Sequence, residues 1–137
     1  MASEIKCVIN DTKTGKSYSK TIENTILSGR KINEIVTGNI LGLTGYEFKI
    51  TGGSDSAGFP MRPEVPTVQR KRLLVQNSIG VRIKRKGMFK RKTVRGNTIG
   101  PQTAQVNLAV AKHGTKSIQE LLNPEAPKED AKAEEKK

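Results

Sequence analysis

The sequence predicts a mainly β fold: a small, barrel-like domain of short antiparallel strands with one or two short helices, followed by a flexible C-terminal tail. Three observations predict it. Short runs alternate apolar and polar residues with the two-residue period of a half-buried strand, most cleanly at 46–51 and 104–111. Clusters of Gly, Pro, Asn and Asp separate these runs. A chain of 137 residues has room for one domain with a modest core, or one domain plus a tail, and excludes two catalytic domains.

The elements follow in order. Residues 4–9 place Ile5, Cys7 and Ile9 on one face of a strand. The turn formers of 10–16 lead into a return arm at 17–22, which makes a hairpin. From Gly29 to Leu41, Ile32, Ile35, Val36 and Ile40 stand at i, i+3, i+4 and i+8, the spacing of a short helix, with Thr37 and Gly38 weakening it. Tyr46, Phe48 and Ile50 share one side of a strand expected to stop at Gly52-Gly53. The segment from there to Pro66 carries Gly58, Pro60 and Pro63 and is expected to be ordered by turns.

Residues 71–76 read as a strand, Asn77-Ser78 as a two-residue connection, and Ile79, Val81 and Ile83 as the apolar face of another strand. After a basic loop, 85–91, comes a strand over 92–99 interrupted at Gly96-Asn97, and then one over 104–111 with Val106, Leu108 and Val110 inward. Ser117-Ile118-Gln119-Glu120 matches a capping box ahead of Leu121 and Leu122. Residues 1–123 are therefore expected as a single mainly-β domain. Residues 124–137 mix both charges with alanine and lack large apolar side chains, which predicts a disordered tail.

Charge locates the function. The net charge is +12, yet residues 1–64 carry 8 basic and 7 acidic groups and residues 120–137 carry 4 and 6, while residues 65–119 carry 13 basic groups and no acidic one. A solvated surface mixes both signs; a block of one sign repels itself unless a polyanion is bound. The candidates for nucleic-acid contact in this block are Arg70, Lys71, Arg72, Arg82, Lys84, Arg85, Lys86, Lys90, Arg91, Lys92 and Arg95. Arginine forks suit phosphate, and each phosphate contact releases a counterion. Aromatic platforms for single strands are scarce, which favours structured RNA, with Phe89 at a basic loop tip the one side chain placed for base stacking.

Catalysis finds little support. His113 is the sole histidine and Cys7 the sole cysteine, so a zinc site of ordinary ligand spacing is excluded and Cys7 reads as a core residue of a reducing compartment. Neither a secretory leader nor an apolar run of membrane-spanning length is present, so no membrane partner is expected. Gly52-Gly53-Ser54-Asp55-Ser56-Ala57-Gly58 lacks the lysine of a P-loop, and Pro60 and Pro63 deny the helix that should follow, so it reads as a tight turn.

Three segments carry a resemblance. Ile50 to Arg62 (ITGGSDSAGFPMR), Arg70-Lys71-Arg72-Leu73-Leu74, and Arg91 to Ile99 (RKTVRGNTI) closely resemble the small-subunit ribosomal protein S-six of the archaeal and eukaryotic type, in order and spacing, over roughly 4–112. The resemblance implies a barrel-like domain set against small-subunit ribosomal RNA and neighbouring ribosomal proteins in the cytoplasmic ribosome, with Arg62, the charged end of the first segment, as a further candidate for RNA contact. It also implies a structural role with no enzyme activity, cofactor or small-molecule substrate. The chain has the archaeal length, without the long basic helical extension and phosphorylated serines of eukaryotic members, and Gly87-Met88-Phe89 departs from the usual polar segment there. Two alternatives stand beside this: a free-standing regulatory module that binds nucleic acid, and a nucleic-acid enzyme, which would need carboxylates or a nucleophile that the basic block lacks.

Overall fold

The computed structural model describes residues 4–122, so the expected tail and the domain limit at residue 123 lie outside the described residues. The strands are β1 (Glu4–Asn10), β2 (Ser17–Glu23), β3 (Ile35–Thr37), β4 (Glu47–Asp55), β5 (Arg70–Val75), β6 (Lys90–Arg95) and β7 (Thr103–Lys112). Helix α1 (Asn24–Leu27) follows β2, a 3-10 turn (Gly38–Leu41) follows β3, and α2 (Ile118–Leu122) follows β7.

Five strands form one sheet in the order β2-β1-β7-β4-β3, and β5 and β6 form a separate two-stranded ribbon. The sheet curls into a half-barrel. Its curl brings the two edges together, since the Lys20 ammonium on β2 donates to the Leu41 carbonyl beyond β3 at 2.6 Å. The mainly β, barrel-like expectation is met with one addition: β1 and β7 pair in parallel, with Cys7 opposite Val106 and Ile9 opposite Leu108. Sequence periodicity says which face a strand buries but not which way its neighbour runs.

The core occupies the concave side. Ile5, Cys7 and Ile9 from β1, Val106 and Leu108 from β7, and Phe48 and Ile50 from β4 are fully buried. Leu27 of α1, Leu41, Leu43 and Ile118 of α2 close it over. The capping expectation holds at α2, where the Glu120 N–H donates to Ser117 Oγ at 3.3 Å.

Three sequence expectations are corrected in path, and a fourth in bounds: the strand expected over 92–99 begins at Lys90, inside the expected basic loop, and ends at Arg95. Residues 29–41 do not form an α-helix, and their one helical turn is the 3-10 turn at Gly38–Leu41. Ile35 is exposed and Val36 buried, a strand alternation, and β3 pairs Ile35, Val36 and Thr37 with Lys49, Phe48 and Glu47. The β-branched Ile-Val-Thr run suits a pleated surface, and the positive φ of Asn33 (75°) breaks any helix ahead of it.

Nor does β4 stop at Gly52-Gly53. The register against β7 steps from Ile50–Leu108 to Gly52–Asn107, so Thr51 is the extra residue of a bulge, and the ladder continues to Asp55. Glycine is required at 53 because a Cβ there would strike the Gln105 carbonyl.

The third correction concerns 79–84, which is not a strand. Ser78 and Val81 exchange backbone hydrogen bonds across Ile79-Gly80, with Gly80 at φ 76°, so the chain doubles back at the point where alternation predicted extension. Ile79 is consequently exposed while Val81 is buried.

Candidate nucleic-acid interface

The candidate site is the ribbon and the loop at its end. Antiparallel pairing sets Arg70 opposite Arg95, Lys71 opposite Val94, Arg72 opposite Thr93, Leu73 opposite Lys92, Leu74 opposite Arg91 and Val75 opposite Lys90. Like charges placed directly opposite destabilise a ladder. In this register every cross-strand pair but one joins a cation to a neutral residue.

Opposed residues share a face, and successive residues alternate faces. Arg70, Arg72, Arg91 and Arg95 therefore fall on one face of the ribbon, and Lys71, Lys90 and Lys92 on the other. The ribbon has an arginine side and a lysine side.

The exceptional pair, Arg70 with Arg95, is bridged by Asp55 at the end of β4. Asp55 Oδ2 accepts from Arg70 Nε at 2.6 Å and from Arg95 Nη1 at 3.1 Å, and Arg95 Nη1 also donates to Gln102 Oε1 at 2.8 Å. The Asp55 side chain is 0% exposed and that of Arg95 3%. Burial pushes the Asp55 carboxyl up. The hydrogen bonds from Arg70 and Ser56 and the charge of Arg95 outweigh it and hold the group at about 2. Arg70 also lies 5.1 Å over the Phe59 ring.

The backbone completes the anchorage. Arg95 N–H donates to the Pro60 carbonyl and Arg62 N–H to the Arg95 carbonyl, at 2.9 and 3.0 Å. In the glycine-rich segment, Gly58 at φ 81° closes a tight turn in which its N–H donates to the Asp55 carbonyl at 2.8 Å. The turn expected over 52–58 is thus confined to 55–58, beyond the end of β4, and it serves to aim Asp55 at the ribbon.

Against that turn the arginine side forms a cleft of about 390 Å³, bordered by Phe59, Gly80, Arg72, Arg91 and Thr93. Two guanidinium groups and a hydroxyl converge there, a donor set suited to phosphate oxygens.

Of the twelve sequence candidates, Arg70, Lys71, Arg72, Arg82, Lys84, Arg85, Lys86, Arg91 and Lys92 are exposed and Lys90 is half-buried. Arg82 and Lys84 to Lys86 lie on the loop 76–89 and not on a strand. Arg62 and Arg95 differ: both are buried, Arg95 against Asp55 and Arg62 with Nη2 3.3 Å from Glu64. Neither is offered to solvent. Their contacts are internal because each sits where the segment after β4 crosses the base of the ribbon.

Sequence reasoning missed Asp55. Its available signal was that it is the only acidic residue between Glu47 and Glu64, just ahead of an all-basic block.

Elsewhere, the side chain of His113 stands edge-on to Tyr46 and 3.7 Å from Asp11, a structural contact at the end of β7. Cys7 is buried, and burial pushes its thiol up to about 11. Among the described residues, no three His, Cys, Asp or Glu side chains group so as to hold a metal ion. None of the described helices is long and apolar enough to cross a membrane.

These features define a class: a small curled β-sheet protein that carries its positive charge on a projecting, carboxylate-anchored ribbon. The family model described as ribosomal protein S6e matches residues 5–123, and the chain belongs to that family. Among its relatives, the small ribosomal subunit protein eS6 of Methanocaldococcus jannaschii is 49% identical over 88% of this chain and 92% of its own length. The eS6 proteins of Archaeoglobus fulgidus and Nanoarchaeum equitans are each 44% identical, over 87% and 89% of this chain and 95% and 92% of their own. The resemblance read from the three sequence segments is thus confirmed.

Proposed function

We propose that this chain is a structural constituent of the small ribosomal subunit that binds and stabilises folded ribosomal RNA through the ribbon and its loop. The observation that carries this reading is the ribbon itself: exposed cations on both faces, no acidic residue from 65 to 119, and one buried carboxylate holding its base. A surface of that kind neutralises phosphate on two sides at once. Membership of the S6e family, whose relatives are named as small-subunit proteins, supports ribosomal RNA as the polyanion. The role is structural, in an archaeal type of cytoplasmic ribosome, with neighbouring ribosomal proteins as further partners and no chemical step.

Sedimentation of cell extract through gradients at low and high salt tests this. Co-migration with the small subunit that survives moderate salt is the expected result. A free pool bound to DNA or to soluble RNA would favour the regulatory module instead.

A further inference from the structure

The loop that joins β5 to β6 departs from the rest of the surface. Seven large hydrophobic residues are exposed among those described, and Leu74, Ile79, Met88 and Phe89, at 44 to 63%, fall in or beside this one loop. The same stretch carries Arg82, Lys84, Arg85 and Lys86, all exposed, and no carboxylate. Apolar surface left in water gains by being covered. A second copy of this chain is a poor cover, since it would bring the same charge.

The loop is also shaped. Met88 N–H donates to the Arg85 carbonyl at 3.3 Å and Gly87 takes φ 82°, the positive φ that a type II turn needs at its third position. This turn walls a cleft of about 400 Å³. Ile83 and Met88 give the cleft apolar surface, Gln76 and Asn77 line it with side-chain amides, and Arg85 and Lys86 border it with charge. Its volume falls within the span of about 300–1,000 Å³ usual for clefts that hold small ligands.

From the proposed RNA-binding role we infer that this cleft receives one unpaired RNA nucleotide, extruded from a bulge or loop. A nucleotide is the ligand that presents an apolar face, a donor and acceptor edge and an anionic phosphate together. The base lies against Met88 and Ile83, with Phe89 exposed beside them as a stacking surface. The amides of Gln76 and Asn77 supply one acceptor and two donors each for its edge. The phosphate meets Arg85 and Lys86. The ribbon thereby grips duplex backbone along its length while its tip reads unpaired RNA.

The test uses the full chain and two synthetic RNA hairpins that differ only in one bulged 2-aminopurine nucleotide, compared by affinity, salt slope and fluorescence. The wild-type protein is expected to bind the bulged hairpin at least about 10-fold more tightly than the paired one and to change its fluorescence, given what base stacking contributes. The double variant Asn77→Ala, Met88→Ala should lose most of that preference while keeping its salt slope. Arg72→Ala with Arg91→Ala should weaken both hairpins alike.

Equal wild-type affinity for the two hairpins, with a steep salt slope, would overturn the tip site and leave the ribbon reading standing. Absence of salt-dependent binding to either RNA would overturn both. Displacement of the bulged hairpin by an acidic, apolar peptide at equal affinity would overturn the nucleotide and assign the cleft to a protein.

Discussion

Asp55 holds two arginines that would otherwise repel each other at the base of the ribbon. Asp55→Asn keeps the shape and removes the charge, leaving the buried Arg95 without its counter-charge, so it should destabilise the fold by about 3–5 kcal/mol, read from urea unfolding. The pH dependence has a definite sign. The folded carboxyl titrates at about 2 against an ordinary 3.8. Its contribution is fully present above pH 4 and is lost as pH falls through 2, amounting to roughly 2 kcal/mol. Stability measured from pH 5 to 2 should fall more steeply in the wild type than in Asp55→Asn. Arg95 was legible in the sequence as part of a basic block and illegible as a core residue, because its partner stands 40 residues away and only the fold brings them together. Replacing Arg91, Lys92 and Arg95 together would confound binding with unfolding. Arg72→Ala with Arg91→Ala is the clean pair, expected to flatten the salt slope of RNA binding by about one unit for each phosphate no longer neutralised, with little change in stability. Cys7 gives an independent reading of stability. Buried, with its thiol pushed up to about 11, it should resist a thiol reagent at neutral pH until the sheet unfolds.

At the scale of elements, the strands with clean alternation were legible from sequence: β1, the first half of β4, and β7, each with buried residues at the expected parity. The failures share a cause. In 29–41, in the second half of β4 and in 79–84, a glycine or a left-handed residue decides the path, and what it must avoid is another segment of chain. Gly53 lies against Gln105 of β7 and Gly80 against the Pro60 ring, neither of which a local pattern reveals. Gly96 is the sharpest case. It ends β6 where the Thr67 carbonyl passes so close that a Cβ has no space. Gly96→Ala should therefore cost about 1–3 kcal/mol through overpacking, although the position has no positive φ to explain it. A thermal melt that left the midpoint unchanged would mean the crossing loop moves aside freely. Such a shift would also disturb the neighbouring hydrogen bond from Asn97 N–H to the Val65 carbonyl.

Across the whole molecule, the core and the proposed binding surface occupy different parts of the chain. The main core draws on β1, β3, β4, β7, both helices, Met61 and Ile99, and on no residue from 62 to 98. The ribbon is tied to that body by backbone bonds through Pro60 and Arg62 and by the Asp55 carboxylate. This division predicts what a shortened ribbon would do. Replacing residues 76–89 by Asn-Gly joins Val75 to Lys90, which are already opposed, through the favoured two-residue hairpin turn. The one buried apolar side chain removed is that of Val81, so the cost should stay near what burying one valine contributes, about 1.5–3 kcal/mol, with the curled sheet intact by circular dichroism. RNA binding should retain the part of its salt slope that comes from Arg70, Lys71, Arg72, Arg91 and Lys92 and lose the part from Arg82 and Lys84 to Lys86. If the shortened protein fails to fold, the loop belongs to the body. If it folds and its salt slope is unchanged, the loop cations face solvent and the grip lies wholly along the strands.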